Sequence, residues 1–428
     1  MFRDNITKVL FLWAGTLGSA ALAFLIQLIL AKKLGTSDYG IVASALAATT
    51  ILSQFCGFGL HSFWLKAFGM EGPAAVRWME PSIKFLWVSG AITLAVYGAY
   101  VYLSSTLPNQ RFVLWLMAPC IFGVAAAEWI SSKFQLEHRF RTMSGYQVGI
   151  QTTRLILLVW LFLLMPPSSF LVGTALALGL VSVFVVIAAS IQLGRVRRGL
   201  IDLQGHGENL DRESTLQPAS IKSLFSQTWP FGLDSVFYLA YVQIGVVLVK
   251  ELDSPHSAGI FFAAFNLINA IYLLPITLYS RFLLSKMHIW AYRDKEKLLV
   301  LLKMGSAVMG VSGLITATVV YILAERIVVL LFGSQFSASA EVLRILALCI
   351  PLRFLSTSVG SVLSTGDNMR HRVKIKAWCA AIQVVLCFGF IPSYGALGAA
   401  YATAFTELAL LGFSSASVML RFRLIFDR

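Results

Sequence analysis

From Val9 to Ala31 the chain runs for 23 residues without a charged side chain, and from Ser257 to Ser280 for 24. At about 1.5 Å of rise per helical residue, either run crosses the roughly 30 Å hydrocarbon layer of a bilayer. Twelve such apolar stretches can be read, near 9–31, 41–65, 83–103, 112–130, 144–165, 169–193, 224–249, 257–280, 301–323, 341–365, 374–393 and 395–420. Two of them, the fifth and the tenth, are interrupted by Arg154 and Arg353. Hydrocarbon offers no partner to an open backbone, so only helices or closed barrels cross it. The alternation of apolar and polar residues that a barrel needs is absent. The expectation is an all-α polytopic membrane protein with about twelve transmembrane helices. Charged residues make up only 13% of the chain, against roughly 25% in soluble domains. Met1–Lys8 followed by an apolar run looks like a signal peptide, but the run is too long, and we expect an uncleaved first helix.

The net charge is +14, and the excess is unevenly placed. With both termini inside, the inner segments hold 25 Lys and Arg and the outer loops 5, namely Lys32, Lys33, Arg111, Lys250 and Arg326. Positive residues stay on the cytoplasmic side. The split therefore predicts cytoplasmic termini and an even number of spans. A basic chain can also bind nucleic acid. Here the basic residues lie in short loops beside the membrane, without interleaved aromatics, so they read as topology determinants near anionic lipid headgroups. No nucleic-acid partner is expected.

The only sizeable polar stretch is Gln192–Lys222, which leaves six spans on either side. The domains expected are an N-terminal six-helix bundle over 1–193, a cytoplasmic linker over 194–222 and a C-terminal six-helix bundle over 223–428. The halves echo each other. LAKKLGTSDYGIVASALAATTIL from Leu30 matches LVKELDSPHSAGIFFAAFNLINAI from Leu248 in layout, at an offset of about 219 residues. Each has a helix end, a short loop with Ser and Asp, then Gly-Ile and an Ala-rich helix. This is the mark of a parallel repeat about an axis along the membrane normal.

Enzyme chemistry has no visible seat. Nucleotide-loop, HExxH, CxxC and GxSxG patterns are missing, and the six histidines have no ligand spacing. Cys56, Cys120, Cys349, Cys379 and Cys387 all fall in apolar stretches and read as small buried hydrophobes. We expect no cofactor and no metal.

The polar residues within the spans fall on stripes at helical spacing. These are Arg353, Thr357, Gly360 and Ser364 in the tenth span; Gln147, Gln151 and Arg154 in the fifth; Thr50, Gln54, Gly57 and His61 in the second; Gln227, Asp234, Tyr238 and Tyr241 in the seventh; and Thr403, Glu407 and Ser414 in the twelfth. Lipid would leave such groups unsatisfied, so the stripes should face inward. Arg353, Arg154, Tyr238, Tyr241 and Gln151 are candidate substrate residues: guanidinium suits bidentate phosphate or carboxylate contact, and tyrosine faces suit sugar rings. Asp234 and Glu407 are candidates for ion coupling. Each has a plainer reading. Arg353 could pair with Glu407 or Asp234, Arg154 could snorkel to the interface, Asp234 could be interfacial, and Glu407 could be a buried structural acid. His61, beside Lys66, reads as interfacial, Glu128 and Lys303 as solvated, and Asn266 and Asn269 as interhelical hydrogen-bonding residues.

ILAKKLGTSDYGIVASALA from Ile29 resembles the first hairpin of the Wzx-type oligosaccharide flippases of the multidrug/oligosaccharidyl-lipid/polysaccharide (MOP) superfamily. TWPFGLDSVFYLAYVQIGVVLV from Thr228 and AGIFFAAFNLINAIYLLPITLYSRFLLSKM from Ala258 are similar to its seventh and eighth helices. LLFGSQFSASAEVLRILALCIP from Leu330, LSTGD from Leu363 and FIPSYGALGAAYATAFTE from Phe390 resemble its C-terminal half. The resemblance implies two six-helix bundles around a central cavity in the bacterial inner membrane. It implies alternating access that carries an undecaprenyl-pyrophosphate-linked oligosaccharide to the outer leaflet for O-antigen, capsule or exopolysaccharide. A polysaccharide polymerase and a chain-length regulator would be its partners. The rivals are a cation-coupled multidrug exporter or a lipid II type flippase of the same superfamily, and, from another class, a membrane-embedded glycan polymerase or ligase. The first would want a cavity of acids and aromatics; the last usually carries a large outer loop, which this chain lacks.

Overall fold

A computed structural model describes residues 2–104, 107–203, 219–278, 295–362 and 369–426. The linker residues 204–218, LSTGD and the Arg281–Arg293 loop of the charge argument lie outside the described residues. All described elements are helical. They are α1 (Phe2–Ser53), α2 (Leu60–Glu71), α3 (Met79–Ser104), α4 (Pro108–Leu116), α5 (Pro119–Leu136), α6 (Phe140–Leu164) and α7 (Phe170–Arg197). Then come α8 (Ile221–Leu252), α9 (Pro255–Leu278), α10 (Lys295–Phe332), α11 (Ser339–Ala347), α12 (Cys349–Val362) and α13 (Met369–Phe426). Among the described residues, ten helical segments are long and apolar enough to cross a membrane. Two of these are broken by a glycine outside helical geometry, Gly35 (φ 74°) in α1 and Gly395 (φ 53°) in α13. Large apolar side chains such as Trp87, Leu103 and Leu330 are exposed on the outside, as a lipid-facing surface requires. The five cysteines are buried and free.

Not every stretch is one continuous helix. The second ends at Ser53, and α2 starts only at Leu60. Gly57 (φ 83°), Phe58 (φ 35°) and Gly59 (φ 82°) between them are left-handed, which no helix continues through. The fourth bends between α4 and α5 ahead of Pro119, and the tenth divides at Leu348 into α11 and α12.

The chain forms two compact units. The first comprises Met1–Lys33 and Ala45–Val236, the second Leu34–Ser44 and Phe237–Arg428. Their boundaries differ from a cut at the linker: residues 34–44 of α1 belong to the second unit, and the first turns of α8 to the first. In the first unit, α7 packs through small residues on α5 and on the end of α4. A Cβ on Gly123 would lie 2.6 Å from that of Ser182, and one on Gly179 would lie 2.3 Å from the Leu116 carbonyl. Close backbone approach of this kind replaces the hydrophobic drive that lipid removes. Ala126, Ile130 and Phe134 then face Val181, Val185 and Ala189. In the second unit, α10 lies against α12. Gly313 meets Pro351 there, and Ser306 and Ser358 share a hydrogen bond of 3.0 Å.

The second unit is closed by its borrowed segment. Tyr39 is fully buried, its hydroxyl accepts from Asn266 Nδ2 at 3.0 Å, and its ring packs on Phe262 and Phe336. Asn266 is thus an interhelical bonding residue, as its place in an apolar helix suggested. Thr36 Oγ1 and His256 Nδ1 lie 2.7 Å apart.

Candidate functional site

Arg353 lies on α12 and is only 6% exposed. Its charge is met inside the second unit: Nη1 donates to Glu407 Oε1 on α13 at 3.0 Å. The same nitrogen donates to the Tyr241 hydroxyl, and Nη2 donates to Tyr238 at 3.3 Å. Both tyrosines come from α8, one helical turn apart, with their rings edge to face at 5.6 Å. A third, Tyr272 of α9, has its ring centre 5.2 Å from the guanidinium. Three aromatic faces and one carboxylate therefore surround one cation, each aromatic contact being favourable in a dry site.

Beside this cluster is a cavity with room for about one water, lined by Asn269, Tyr272, Gln383, Thr403, Thr406 and Glu407. Glu407 Oε2, Gln383 Oε1 and the Tyr272 hydroxyl are buried there without a hydrogen-bond partner. Unsatisfied buried polar atoms are costly, and the cavity beside these three has room for the water that would pair with them. Sequence reading singled out Arg353, Glu407, Tyr238 and Tyr241, and the fold brings all four together. It missed Tyr272 and Gln383. It also missed Lys376, whose Nζ lies 4.9 Å from the Tyr238 ring centre. Tyr272 stands one turn beyond Asn269, so the spacing of that helix carried the signal.

Arg154 and Gln151 belong to the first unit, on α6. The exposed face of α6 carries Gly149, Thr153, Ile156 and Trp160; Gln147, Gln151 and Arg154 lie on the opposite side. One flank of that side meets α1: a Cβ on Gly15 would collide with Ser144, and Ser19 Oγ donates to the Gln147 carbonyl at 3.3 Å. The other flank packs Tyr146, Ile150 and Leu157 on the α5–α7 core. The stripe therefore points between α1 and that core. Arg154 Nε and Gln151 Oε1 are shut off from solvent and have no hydrogen-bond partner. Asp234 is also in the first unit, 8% exposed, just after Pro230 in α8. Lys303 lies among side chains outside the described residues. The two arginines thus differ: Arg353 is neutralised by a carboxylate, whereas no carboxylate among the described residues pairs with Arg154.

The family model for polysaccharide biosynthesis proteins matches residues 6–282. The chain belongs to that family. No curated protein sequence matches it. Among solved structures, the lipid II flippase MurJ in an inward closed conformation superposes with a TM-score of 0.69 at 12% identity, over 96% of this chain and 87% of that one. An inward-facing multidrug resistance MATE transporter of the MOP superfamily gives 0.69 at 13% identity, over 99% of both. A MOP superfamily transporter from Pyrococcus furiosus gives 0.67 at 13% identity, over 97% and 95%. At such identities the likeness shows the fold, which is that of the MOP transporters. The proteins that share it are membrane transporters and flippases, not enzymes.

Proposed function

We propose that the chain is a flippase that moves an undecaprenyl-pyrophosphate-linked oligosaccharide across the bacterial inner membrane by alternating access. The observation that carries this reading is Arg154. A guanidinium that no carboxylate among the described residues pairs with, set with Gln151 inside a membrane-spanning unit of a polysaccharide biosynthesis protein, is a ready counter-charge for a pyrophosphate or an acidic sugar. Arg353 joins it conditionally. While Glu407 is ionised, the pair is closed. A proton on Glu407, or a cation at its free oxygen, releases the guanidinium to the substrate and exposes Tyr238 and Tyr241 to sugar rings. Ion uptake and substrate binding then share one residue. Asp234 is the second candidate for coupling. A polysaccharide polymerase and a chain-length regulator would act on the product.

Deleting the protein tests this directly. Surface polysaccharide should be lost while lipid-linked repeat units accumulate out of reach of a membrane-impermeant glycan label. A polymerase would leave single repeat units labelled outside. A multidrug exporter would leave polysaccharide normal and raise sensitivity to cationic dyes. Normal outward labelling, with no second transporter present, would overturn the proposal.

The topology that goes with it has twelve spans, with α1 and α13 each crossing twice about Gly35 and Gly395, two six-helix bundles, and both termini in the cytoplasm. A reporter active only in the cytoplasm should work when fused after Gln204, Arg293 or Asp427, which lie outside the described residues. It should be silent within Pro166–Ser169, between α6 and α7. A reversed pattern would refute this arrangement.

A further inference from the structure

The break in the second apolar stretch is tied on both sides to one carboxylate. Gln54, just before it, donates through Nε2 to Glu128 Oε1 on α5 at 3.2 Å. His61, just after it, places Nδ1 3.5 Å from Glu128 Oε2. Between them Gly57, Phe58 and Gly59 hold the left-handed turn, and the Gly57 amide donates to Ser89 Oγ on α3 at 3.0 Å. The turn is packed tightly: a Cβ on Gly59 would lie 2.4 Å from the Gly232 nitrogen of α8, and one on Gly232 would lie 2.6 Å from the Phe58 ring. A bend braced this closely has few other places to move than across its two side-chain ties.

The two ties differ chemically. An amide hydrogen bond does not depend on pH. A histidine–carboxylate contact gains its charge only when the imidazole is protonated, and histidine is the side chain that changes charge between about pH 5 and 8. Other charges on the neighbouring elements are already engaged. Lys133 on α5 pairs with Glu137 just past its end at 2.7 Å, Lys84 with Glu80 on α3 at 2.9 Å, and Arg77 with Glu71 at 3.0 Å. Lys66 is exposed on α2, and Asp234 on α8 is buried among contacts of its own.

We propose that His61 and Glu128 form a proton-binding site in the first unit, separate from Arg353 and Glu407, whose occupancy sets how firmly α2 is held to α5 across the break. With the proton bound, both ends of the turn are fixed to Glu128. Without it, Gln54 still holds Glu128 and α2 keeps its apolar packing against Trp129 and Leu136 of α5, but the His61 end of the turn is less firmly fixed.

Amide hydrogen exchange of residues 54–63 in the purified full chain reads this without any transport assay. After correction for the intrinsic pH dependence of exchange, and relative to α7, the segment should exchange about two- to fivefold faster at pH 8 than at pH 5.5, the modest size expected of a partly exposed pair. His61→Gln cannot take up a proton, so it should show the same rate at both pH values. Glu128→Gln should abolish the difference as well, and His256→Gln should preserve it. A wild-type segment with no corrected pH difference would overturn the proposal, as would a difference that survives in both His61→Gln and Glu128→Gln. Should His61→Gln fail to fold, the wild-type profile and Glu128→Gln decide the matter.

Discussion

Arg353→Ala should unfold the second unit at a much lower temperature than wild type and abolish transport, because it strands Glu407 in a dry site. Both partners are nearly buried, at 6% and 3% exposure. Breaking a buried pair from one side costs about 3–5 kcal/mol, most of it the penalty of leaving the other charge uncompensated. Glu407→Gln should cost a similar amount by stranding the guanidinium, whose remaining partners are tyrosine hydroxyls and ring faces. Removing both charges together, as Arg353→Met with Glu407→Gln, leaves no charge to strand, so most of the stability should return. Transport then separates two roles. A stable double variant that moves no substrate shows that the pair takes part in transport. One that transports at the wild-type rate shows that the pair only holds α12 to α13, and the exchange of Glu407 for substrate is then wrong. Arg353→Lys sharpens the test: charge is kept, but the fork that serves Glu407, Tyr238 and Tyr241 at once is lost. Stability from thermal unfolding in detergent and transport from the impermeant-label assay are the two measurements.

Much of this cluster was legible in the sequence. Arg353 in an apolar stretch demanded a partner, and Glu407, Tyr238 and Tyr241 sat on inward stripes of other helices. Stripes give direction but not depth or neighbour. The sequence therefore could not choose between Glu407 and Asp234 as the partner of Arg353, and it placed Arg154 and Arg353 in one cavity by type alone. The fold supplies the neighbour: Glu407 meets Arg353 within the second unit, while Asp234 and Arg154 are in the first. The long helices were legible because hydrocarbon leaves no alternative. Their interruptions were less so. Gly57-Phe58-Gly59 has the residues for a left-handed turn, but glycine is common in membrane helices, and Thr50, Gln54, Gly57 and His61 keep helical spacing across the break. Gln54 and His61 do converge on Glu128, although the continuous helix assumed for them does not exist. His61 read as interfacial and Glu128 as solvated because each was judged by its distance from a loop; their contact joins residues 67 positions apart and leaves no local trace.

The sequence repeat has a physical counterpart, and it yields the second large effect. Gly40 and Gly259 occupy matching places in the two echoing segments, each just before an isoleucine. In the fold they face each other within the second unit. A Cβ on Gly40 would sit 1.8 Å from the Pro255 carbonyl oxygen and 2.8 Å from the Gly259 nitrogen. One on Gly259 would sit 2.0 Å from the Thr36 carbonyl oxygen and 3.2 Å from the Gly40 nitrogen. The obstructing atoms are backbone, so no rotamer change relieves them, and the helices themselves must part. Parting them would also stretch the Thr36–His256 contact and lift Tyr39 away from Asn266. Overpacking typically costs about 1–3 kcal/mol, and a rigid backbone contact belongs at the top of that range. Gly40→Ala and Gly259→Ala should each lower the unfolding midpoint sharply, and Gly40→Leu should leave little folded protein. Gly69→Ala and Gly149→Ala, whose new methyl groups meet nothing within 4 Å, should be harmless. The double variant Gly40→Ala with Gly259→Ala decides how the contact is built. Once one methyl has parted the helices, the second has less to displace, so the two costs should add to less than their sum. Strict additivity would mean that the two glycines do not share one contact, and wild-type stability in either single variant would mean that the close approach is not there.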